Sequence, residues 1–183
     1  MYTVNWSQEL AKSLHRLYPK NVTEKMVCVE IGSFEGRGSN LIYDKLCQHP
    51  ESILYCIDPW NDTYEKCPDF NKYLNGQYLR FLSNIKGKDK IIPLRGTSDD
   101  MINFVEQKVD FAFIDGDHTP EQVYKDAVML FPKMKNGGII LFDDYLWEYN
   151  GIKPRGGIDK FLQEYSDKYQ LLFKSVELCI KKI

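Results

Sequence analysis

Two pairs of aspartates follow two strand-like segments in the middle of this chain. Asp115 and Asp117 come directly after the apolar run at residues 109–114, and Asp143 and Asp144 come after the next such run. Parallel strands of an open sheet end at one edge, where ligands bind, so we expect the two pairs to converge. Converging carboxylates repel one another unless a cation or a proton lies between them. Oxygen ligands of this kind suit a hard divalent cation such as Mg²⁺.

A glycine-containing turn follows the first strand-like segment of the chain. It includes Gly32 and Gly36 in the sequence E-I-G-S-F-E-G-R-G-S. Glycines at such a turn let the backbone approach a ligand closely. The next strand ends at Asp58, where a carboxylate can hydrogen-bond a ribose diol. Each feature alone is common in ordinary turns, but their order and spacing together favour a nucleoside ligand.

Short apolar runs alternate with helical patterns along the chain, which is typical of β-α-β units. Strands are predicted at residues 26–31, 53–58, 90–95, 109–114 and 137–142. Helices are predicted at residues 38–47, 70–85, 98–107, 120–133 and 158–167. Ser98 is the expected cap of the third helix, and Pro120 suits the first turn of the fourth. The last 15 residues, YQLLFKSVELCIKKI, read as a closing antiparallel hairpin.

These elements predict an α/β protein with a Rossmann-like, doubly wound sheet. The sheet is expected to be seven-stranded and mostly parallel, with the C-terminal hairpin antiparallel. Residues 1–25 form a short N-terminal helical cap in this interpretation, with an amphipathic helix near residues 6–17. Residues 26–183 form the main domain.

Composition limits the classes of partner. The chain has 183 residues and a net charge of −2, so no basic surface suggests a nucleic acid or an anionic membrane. No apolar run is long enough to span a bilayer. The cysteines are scattered and form no C-x-x-C pair, which favours reduced thiols and a cytoplasmic location. They are Cys28, Cys47, Cys56, Cys67 and Cys179.

With these motifs, the chain resembles the class I S-adenosylmethionine-dependent methyltransferases over residues 26–162. Residues 111–147 are similar to the cation-dependent O-methyltransferases of the catechol and caffeoyl-CoA types. The combination of I-D-P-W, D-G-D-H and D-D-Y also resembles the macrocin-type sugar O-methyltransferases. The resemblance implies that S-adenosylmethionine is bound by Glu30, Gly32, Ser33, Gly36, Asp58, Ser98, Asp99 and Asp115.

The same resemblance implies a metal-assisted reaction. Asp115, Asp143 and Asp144 would hold Mg²⁺ or another divalent cation, and His118 and Asp115 would be catalytic. His118 replaces the lysine of the catechol type and Asp144 replaces its asparagine. A histidine near its usual pKa is a competent base at neutral pH, so the first change is compatible with the chemistry.

The expected activity is transfer of a methyl group to a hydroxyl of a small-molecule, sugar or carrier-linked acceptor. The short N-terminal cap suggests either an open site or one that a second subunit completes, as in a homodimer. Methyl transfer to nitrogen is an alternative, although D-G-D-H stands where base-methylating relatives carry N/D-P-P-Y/F. A non-catalytic nucleoside-binding module is a second alternative. A hydrolase is disfavoured because the chain has no G-x-S-x-G sequence.

Several residues near the predicted site allow two interpretations. Asp117 either joins the site or caps the helix that begins at Pro120. Tyr145 and Trp147 are expected to reach the site, and residues 153–157 are a candidate mobile edge of its pocket. Four aromatic residues either line an acceptor pocket or, as we favour for several of them, pack a helix. These are Trp60, Tyr64, Tyr73 and Tyr78.

Overall fold

The computed structural model describes residues 2–61 and 68–183, and Tyr64 and Cys67 lie outside these ranges. The described residues form one seven-stranded sheet in the order β3-β2-β1-β4-β5-β7-β6. The first five strands are mutually parallel, and β7 runs antiparallel between β5 and β6. The predicted fold class is therefore confirmed. The strands are β1 (Val27–Ile31), β2 (Ile53–Asp58), β3 (Ile91–Arg95), β4 (Val109–Ile114), β5 (Met134–Phe142), β6 (Tyr169–Lys174) and β7 (Leu178–Lys182).

Helices cover both faces of this sheet. Alternate residues of β1 point to opposite faces, so Val27 and Val29 contact one apolar cluster and Cys28 contacts the other. The first cluster includes residues of α6 and α7, and the second includes residues of α1, α2 and α4. All residues of β1 are buried, as expected for a central strand of a parallel sheet. The helices are α1 (Gln8–Leu17), α2 (Arg37–Leu46), α3 (Asn71–Leu74), α4 (Gln77–Asn84), α5 (Ser98–Met101), α6 (Pro120–Leu130) and α7 (Pro154–Glu164).

The helix predicted at residues 70–85 is interrupted. It consists of a 3₁₀ turn (Pro68–Phe70), α3 and α4, with a break at Asn75 and Gly76. Gly76 has a φ of +70°, a left-handed conformation that ends one helix before the next begins. Helical spacing of apolar residues continues across this break, so periodicity alone predicted one helix.

Three smaller predictions about helix ends are corrected. Thr97, not Ser98, caps α5: its Oγ1 accepts the backbone N–H of Asp100 at 3.3 Å. That helix ends at Met101 and continues as a 3₁₀ turn at Ile102–Phe104. The last helix begins at Pro154 rather than at residue 158, so residues 153–157, the candidate mobile edge, form its cap and first turn. Gly157 allows close packing there, because a Cβ would lie 1.9 Å from the carbonyl oxygen of Pro120.

The connections after β1, β2, β3, β4 and β5 all lie at the carboxyl edge of the sheet. This edge therefore gathers residues that are far apart in sequence. Pro120 occupies the first turn of α6, as predicted. Among the described residues, no helix has the length and apolar character that crossing a membrane requires.

Candidate cofactor and metal site

A cavity of about 1030 Å³ lies at the carboxyl edge of the sheet. Its lining includes residues from the connections after all five parallel strands. Residues of the N-terminal segment and of the 3₁₀ turn and α3 complete the lining. This volume is at the upper end of small-molecule sites, about 300–1,000 Å³, so the cavity has room for two ligands.

Gly32 and Gly36 shape the turn after β1 by close packing. Gly32 has a φ of +87°, and a Cβ there would lie 1.9 Å from the carbonyl oxygen of Asp115. Gly36 has a φ of +78° and packs against the ring of Phe81. The glycines thus bring the ends of β1 and β4 together and seat α4 on the loop. Sequence analysis assigned them to ligand approach, and the structure adds this packing role.

Asp58, which is predicted to bind the ribose, lies in the cavity wall and accepts hydrogen bonds from two backbone segments. Its Oδ2 accepts the N–H of Phe34 at 2.8 Å, and its Oδ1 accepts the N–H of Trp60 at 2.6 Å. Burial raises the pKa of Asp58 despite these hydrogen bonds. Its carboxylate therefore fixes the glycine loop relative to β2, and each oxygen keeps a further lone pair for a ligand.

Trp60 packs in the interior, as one of the two interpretations predicted. It is 2% exposed and contacts Tyr78 and Phe81 at centroid distances of 4.9 and 4.6 Å. Its Nε1 donates to the carbonyl oxygen of Phe34 at 2.6 Å. Tyr73, by contrast, lines the large cavity. Of these aromatic residues, Trp60 therefore packs in the protein interior and Tyr73 lines the cavity.

Glu30 and Ser33 line a second cavity of about 60 Å³ beside the large one. Glu30 is 1% exposed and accepts hydrogen bonds from Ser39 Oγ and, at 3.4 Å, from Cys56 Sγ. Burial raises the pKa of Glu30 to about 7. Asp115 lines both cavities, so the predicted cofactor residues of β1 and the end of β4 face one continuous region.

Ser98 and Asp99 meet a carboxylate that the sequence analysis missed. Ser98 Oγ donates to Asp126 Oδ1 at 2.6 Å, and Gln122 Nε2 donates to Asp126 Oδ1 at 2.9 Å and to Asp99 Oδ2 at 3.2 Å. Burial raises the pKa of Asp126 to about 6, whereas the hydrogen bond from Lys125 lowers the pKa of Asp99. The sequence feature that could have revealed this carboxylate is the position of Asp126 within the apolar stripe of α6.

Three side chains at the ends of β4 and β5 form a group that could hold a metal ion. Asp115, His118 and Asp144 each offer one ligand atom, and these atoms lie within 4.8 Å of one another. His118 Nε2 is 3.5 Å from Asp115 Oδ1 and 3.2 Å from Asp144 Oδ2. Asp143 lies beside them, with its Oδ1 accepting the N–H of Asp144 at 2.9 Å. The predicted convergence of the aspartates is therefore observed, with His118 inside the group.

The close side chains of this group shift the pKa values of Asp143 and His118. Burial, followed by repulsion from Asp115 and Asp144, raises the pKa of Asp143 to about 9. Burial lowers the pKa of His118, but Asp115 and Asp144 outweigh that effect and raise it to about 10. Without a cation, the two nearby carboxylates therefore raise the pKa of His118 above the usual value expected from the sequence. A carboxylate-rich group with one imidazole fits a divalent cation, which would supply the missing positive charge.

The other residues that were predicted to lie near the site have different roles in the structure. Asp117 Oδ1 accepts the N–H of Thr119 at 2.8 Å, which orders the turn before α6. Trp147 lines the cavity, and its ring lies 4.9 Å from that of His118. Tyr145 is 1% exposed and donates its hydroxyl to Asp159 Oδ1 at 2.7 Å. Tyr145 thus packs against α7 instead of reaching the site.

Comparison with known proteins identifies the family. A family model described as a methyltransferase domain matches residues 29–145, so the chain belongs to that family. Together with the sheet order, the match places the chain among the class I S-adenosylmethionine-dependent methyltransferases, as the motifs predicted.

Individual relatives are distant. The chain is 29% identical over 130 residues to an uncharacterized protein, R132, of Acanthamoeba polyphaga mimivirus. That match covers 68% of this chain and 55% of the relative, so the chain spans about half the length of this curated protein.

Solved structures share the fold at low identity. The O-methyltransferase NovP has a TM-score of 0.71 and 16% identity, covering 96% of this chain and 78% of that one. An O-methyltransferase from Bacillus cereus in complex with S-adenosylhomocysteine has a TM-score of 0.63 and 15% identity, covering 98% and 84%. At these sequence identities, the similarity shows a shared fold and nothing more specific.

Proposed function

We propose that this protein transfers a methyl group from S-adenosylmethionine to a hydroxyl of a small-molecule acceptor, with the help of a divalent cation. One observation carries the proposal: the Asp115, His118 and Asp144 group opens into the same cavity as Asp58 and the glycine loop. A methyltransferase that acts on nitrogen, or a non-catalytic nucleoside-binding module, has no need of such a group. The complex of the Bacillus cereus relative with S-adenosylhomocysteine supports the choice of cofactor.

The cofactor would lie along the carboxyl edge from the end of β3 to the end of β4. Ser98 and Asp99 would contact its adenine, and Asp58 would bind its ribose hydroxyls. The glycine loop, with Gly32, Ser33 and Gly36, would lie alongside the cofactor. Glu30 and Asp115 face the small cavity, where the amino-acid end would fit. These assignments follow the family resemblance, and all of the residues except Gly36 line one of the two cavities.

Asp115, Asp143 and Asp144 would hold the cation through carboxylate oxygens, with His118 beside them to accept a proton. When bound, a divalent cation lowers the pKa of a coordinated hydroxyl and orients it. Its charge would offset the repulsion that raises the pKa of Asp143. The metal would be Mg²⁺ or another cation that accepts oxygen ligands.

The protein's own residues would align the reactants and handle the proton. Alignment of donor and acceptor alone can lower the barrier of a displacement by several kcal/mol, about 7–11 at the extreme. His118 Nε2 would take the hydroxyl proton and share it with Asp115 and Asp144, which lie 3.5 and 3.2 Å away. Asp115 and Asp144 raise the pKa of His118, and a cation bound to those carboxylates would offset that effect and let the imidazole accept a proton.

Two further expectations belong to this proposal. A cytoplasmic location agrees with the free, buried thiols of Cys28, Cys47, Cys56 and Cys179. A homodimer stays a prediction.

A methyl-transfer assay tests the proposal. Labelled S-adenosylmethionine is supplied with acceptors that carry neighbouring hydroxyls, aromatic and sugar, in Mg²⁺ or in EDTA. We expect transfer in Mg²⁺ and a loss of about 100-fold or more in EDTA and in Asp144→Ala. Asp44→Ala, an exposed residue of α2 that pairs with Lys88, is the matched control. Full activity in EDTA, or in Asp143→Ala and Asp144→Ala, would rule out the metal role.

A further inference from the structure

Glu177 carries a buried carboxyl group that the proposed reaction does not use. It is 1% exposed and directly precedes β7, in the hairpin that closes the sheet. Its Oε2 accepts a hydrogen bond from Ser13 Oγ of α1. Its Oε1 is also buried and has no hydrogen-bond partner among the described residues. A buried carboxyl oxygen without a donor opposes folding, so Oε1 is suited to a partner from outside the chain.

The hairpin places Glu177 beside Asp143 of the candidate metal site. β5 and β7 are antiparallel, and Leu141 pairs with Cys179 near the end of their ladder. Asp143 is two residues after Leu141 and Glu177 is two residues before Cys179, so the register, extended one pair beyond the ladder, places them opposite each other. Leu141 and Cys179 both belong to the apolar cluster that includes residues of α1. Side chains two positions apart on a strand share a face, so the two carboxyl groups project toward α1 as well.

The aspartates of the metal site act on Glu177 electrostatically. Burial raises the pKa of Glu177 to about 7, although the hydrogen bond from Ser13 opposes this increase. Repulsion from Asp115 and Asp144 adds to it. Burial is also the main cause of the raised pKa of Asp143, and Glu177 contributes to that increase. Four carboxyl groups therefore interact at this end of the sheet, and like charges so close disfavour ionisation unless a cation lies among them.

A purely structural role for Glu177 accounts for only one of its two oxygens. The hydrogen bond from Ser13 joins α1 to the hairpin, and α1 contributes Gln8 and Glu9 to the lining of the large cavity. A neutral side chain such as glutamine would accept that bond without adding negative charge beside Asp143. The carboxyl group therefore fits a role at the cation site in addition to holding the helix.

A hydrated cation supplies the kind of donor that suits Oε1. Mg²⁺ dehydrates reluctantly and usually keeps several waters when protein carboxylates bind it. Acceptors in the layer around a metal site bind such waters and ligands and hold them in place. The described lining of the large cavity includes Val176 but not the adjacent Glu177. Glu177 therefore lies behind the cavity wall, where it is suited to act on the cation through a water or a neighbouring ligand.

We propose that Glu177 is a positioning residue of the cation site. Ser13 orients its carboxyl group, which accepts a hydrogen bond from a cation-bound water and adds negative charge beside Asp143. This inference rests on the metal-assisted reaction proposed above, and it adds a residue to the site and a link from the site to α1. Loss of the charge should weaken cation binding and leave cofactor binding unchanged, because Glu177 is not among the residues assigned to S-adenosylmethionine.

Calorimetric titration with Mg²⁺ in saturating S-adenosylhomocysteine tests this inference. Glu177→Gln keeps an acceptor for Ser13 and removes the charge, and we expect its affinity for Mg²⁺ to fall about tenfold or more. Its affinity for S-adenosylhomocysteine, measured without Mg²⁺, should equal that of wild type. Glu51→Gln makes the same change at an exposed residue that pairs with Lys25, and should change neither affinity. An unchanged affinity for Mg²⁺ in Glu177→Gln overturns the inference.

A pair of serine variants tests the link to α1. Ser13→Ala keeps the carboxyl group of Glu177 and removes the hydrogen bond that orients it, so Mg²⁺ binding should weaken by about two- to tenfold. Ser52→Ala removes another buried hydroxyl, which accepts the N–H of Met26 at 2.9 Å, and should leave Mg²⁺ binding unchanged. If Glu177→Gln does not fold, this pair decides the question, and equal affinities for Mg²⁺ in the two serine variants overturn the inference.

The outcomes separate this inference from the function on which it rests. Wild-type protein that binds S-adenosylhomocysteine but not Mg²⁺ contradicts the metal role in the proposed function, and the inference with it. If wild type binds Mg²⁺, Asp144→Ala loses that binding and Glu177→Gln keeps it in full, only the role of Glu177 is overturned.

Discussion

The backbone N–H of Phe34 donates to Oδ2 of Asp58 at 2.8 Å, which fastens the glycine loop after β1 to the end of β2. The other oxygen of the carboxylate accepts the N–H of Trp60 at 2.6 Å. Asp58, whose motif suggested ribose binding, therefore also stabilises the backbone, because each of its two oxygens accepts one backbone hydrogen bond.

Replacement of Asp58 by asparagine should therefore destabilise the fold. An amide offers one acceptor oxygen, so its NH₂ group would face a backbone N–H and leave that donor unsatisfied. We expect a loss of about 1–3 kcal/mol in the free energy of unfolding. Chemical denaturation of Asp58→Asn measures it, with Asp89→Asn at an exposed position as the control. Equal stability of the two variants would show that Asp58 serves the ligand alone.

Gly32 offers a sharper test of how the ends of β1 and β4 meet. Gly32→Ala would place a Cβ 1.9 Å from the carbonyl oxygen of Asp115, at a φ of +87°. Gly87→Ala has nearly the same φ, +83°, but no atom within 4 Å. The control should lose about 1–2 kcal/mol from backbone strain alone, and Gly32→Ala about 4 kcal/mol or more, or fail to fold. Similar losses would contradict the packing role of Gly32.

The buried carboxylate of Asp126 predicts a dependence of stability on pH. Its pKa is raised to about 6 by burial, whereas an unfolded aspartate titrates near about 3.9. Between these values the native state binds more protons than the unfolded state. The protonated carboxyl of Asp126 therefore stabilises the native state fully below about pH 3.9, and this stabilisation is lost as the pH rises through about 6.

Asp126→Asn removes this titration. Relative to wild type, its free energy of unfolding should rise between pH 4 and pH 8 by on the order of 2–3 kcal/mol. Asp89→Asn serves as the control, because Asp89 is exposed and is not among the groups that raise the pKa of Asp126. A constant difference between Asp126→Asn and wild type across this range would contradict the assignment.

Much of the fold could be predicted because its signals are local. Apolar runs between turn residues marked β2 and β4 with the bounds that the structure shows. The convergence of Asp115 and Asp144 followed from a general property of parallel sheets rather than from any detail of this chain. Sequence analysis therefore located the edge of the sheet at which the candidate site lies.

Other features depend on contacts between distant residues. The break at Gly76 interrupts an otherwise helical pattern, and the stacking of Trp6 on Phe34 joins two segments whose separation gives no local signal. The pKa of His118 depends on its distances to Asp115 and Asp144, which no sequence spacing specifies. Such properties arise only after the chain has folded.

Thermal unfolding with S-adenosylhomocysteine, in Mg²⁺ and in EDTA, tests the central claim most directly. A ligand that binds only the native state raises the melting temperature according to its concentration relative to Kd. We predict a clear rise with S-adenosylhomocysteine and a further rise with Mg²⁺ that is absent in Asp144→Ala. No rise at a saturating concentration of S-adenosylhomocysteine would contradict the account. A rise that Mg²⁺ does not increase would remove the metal from it.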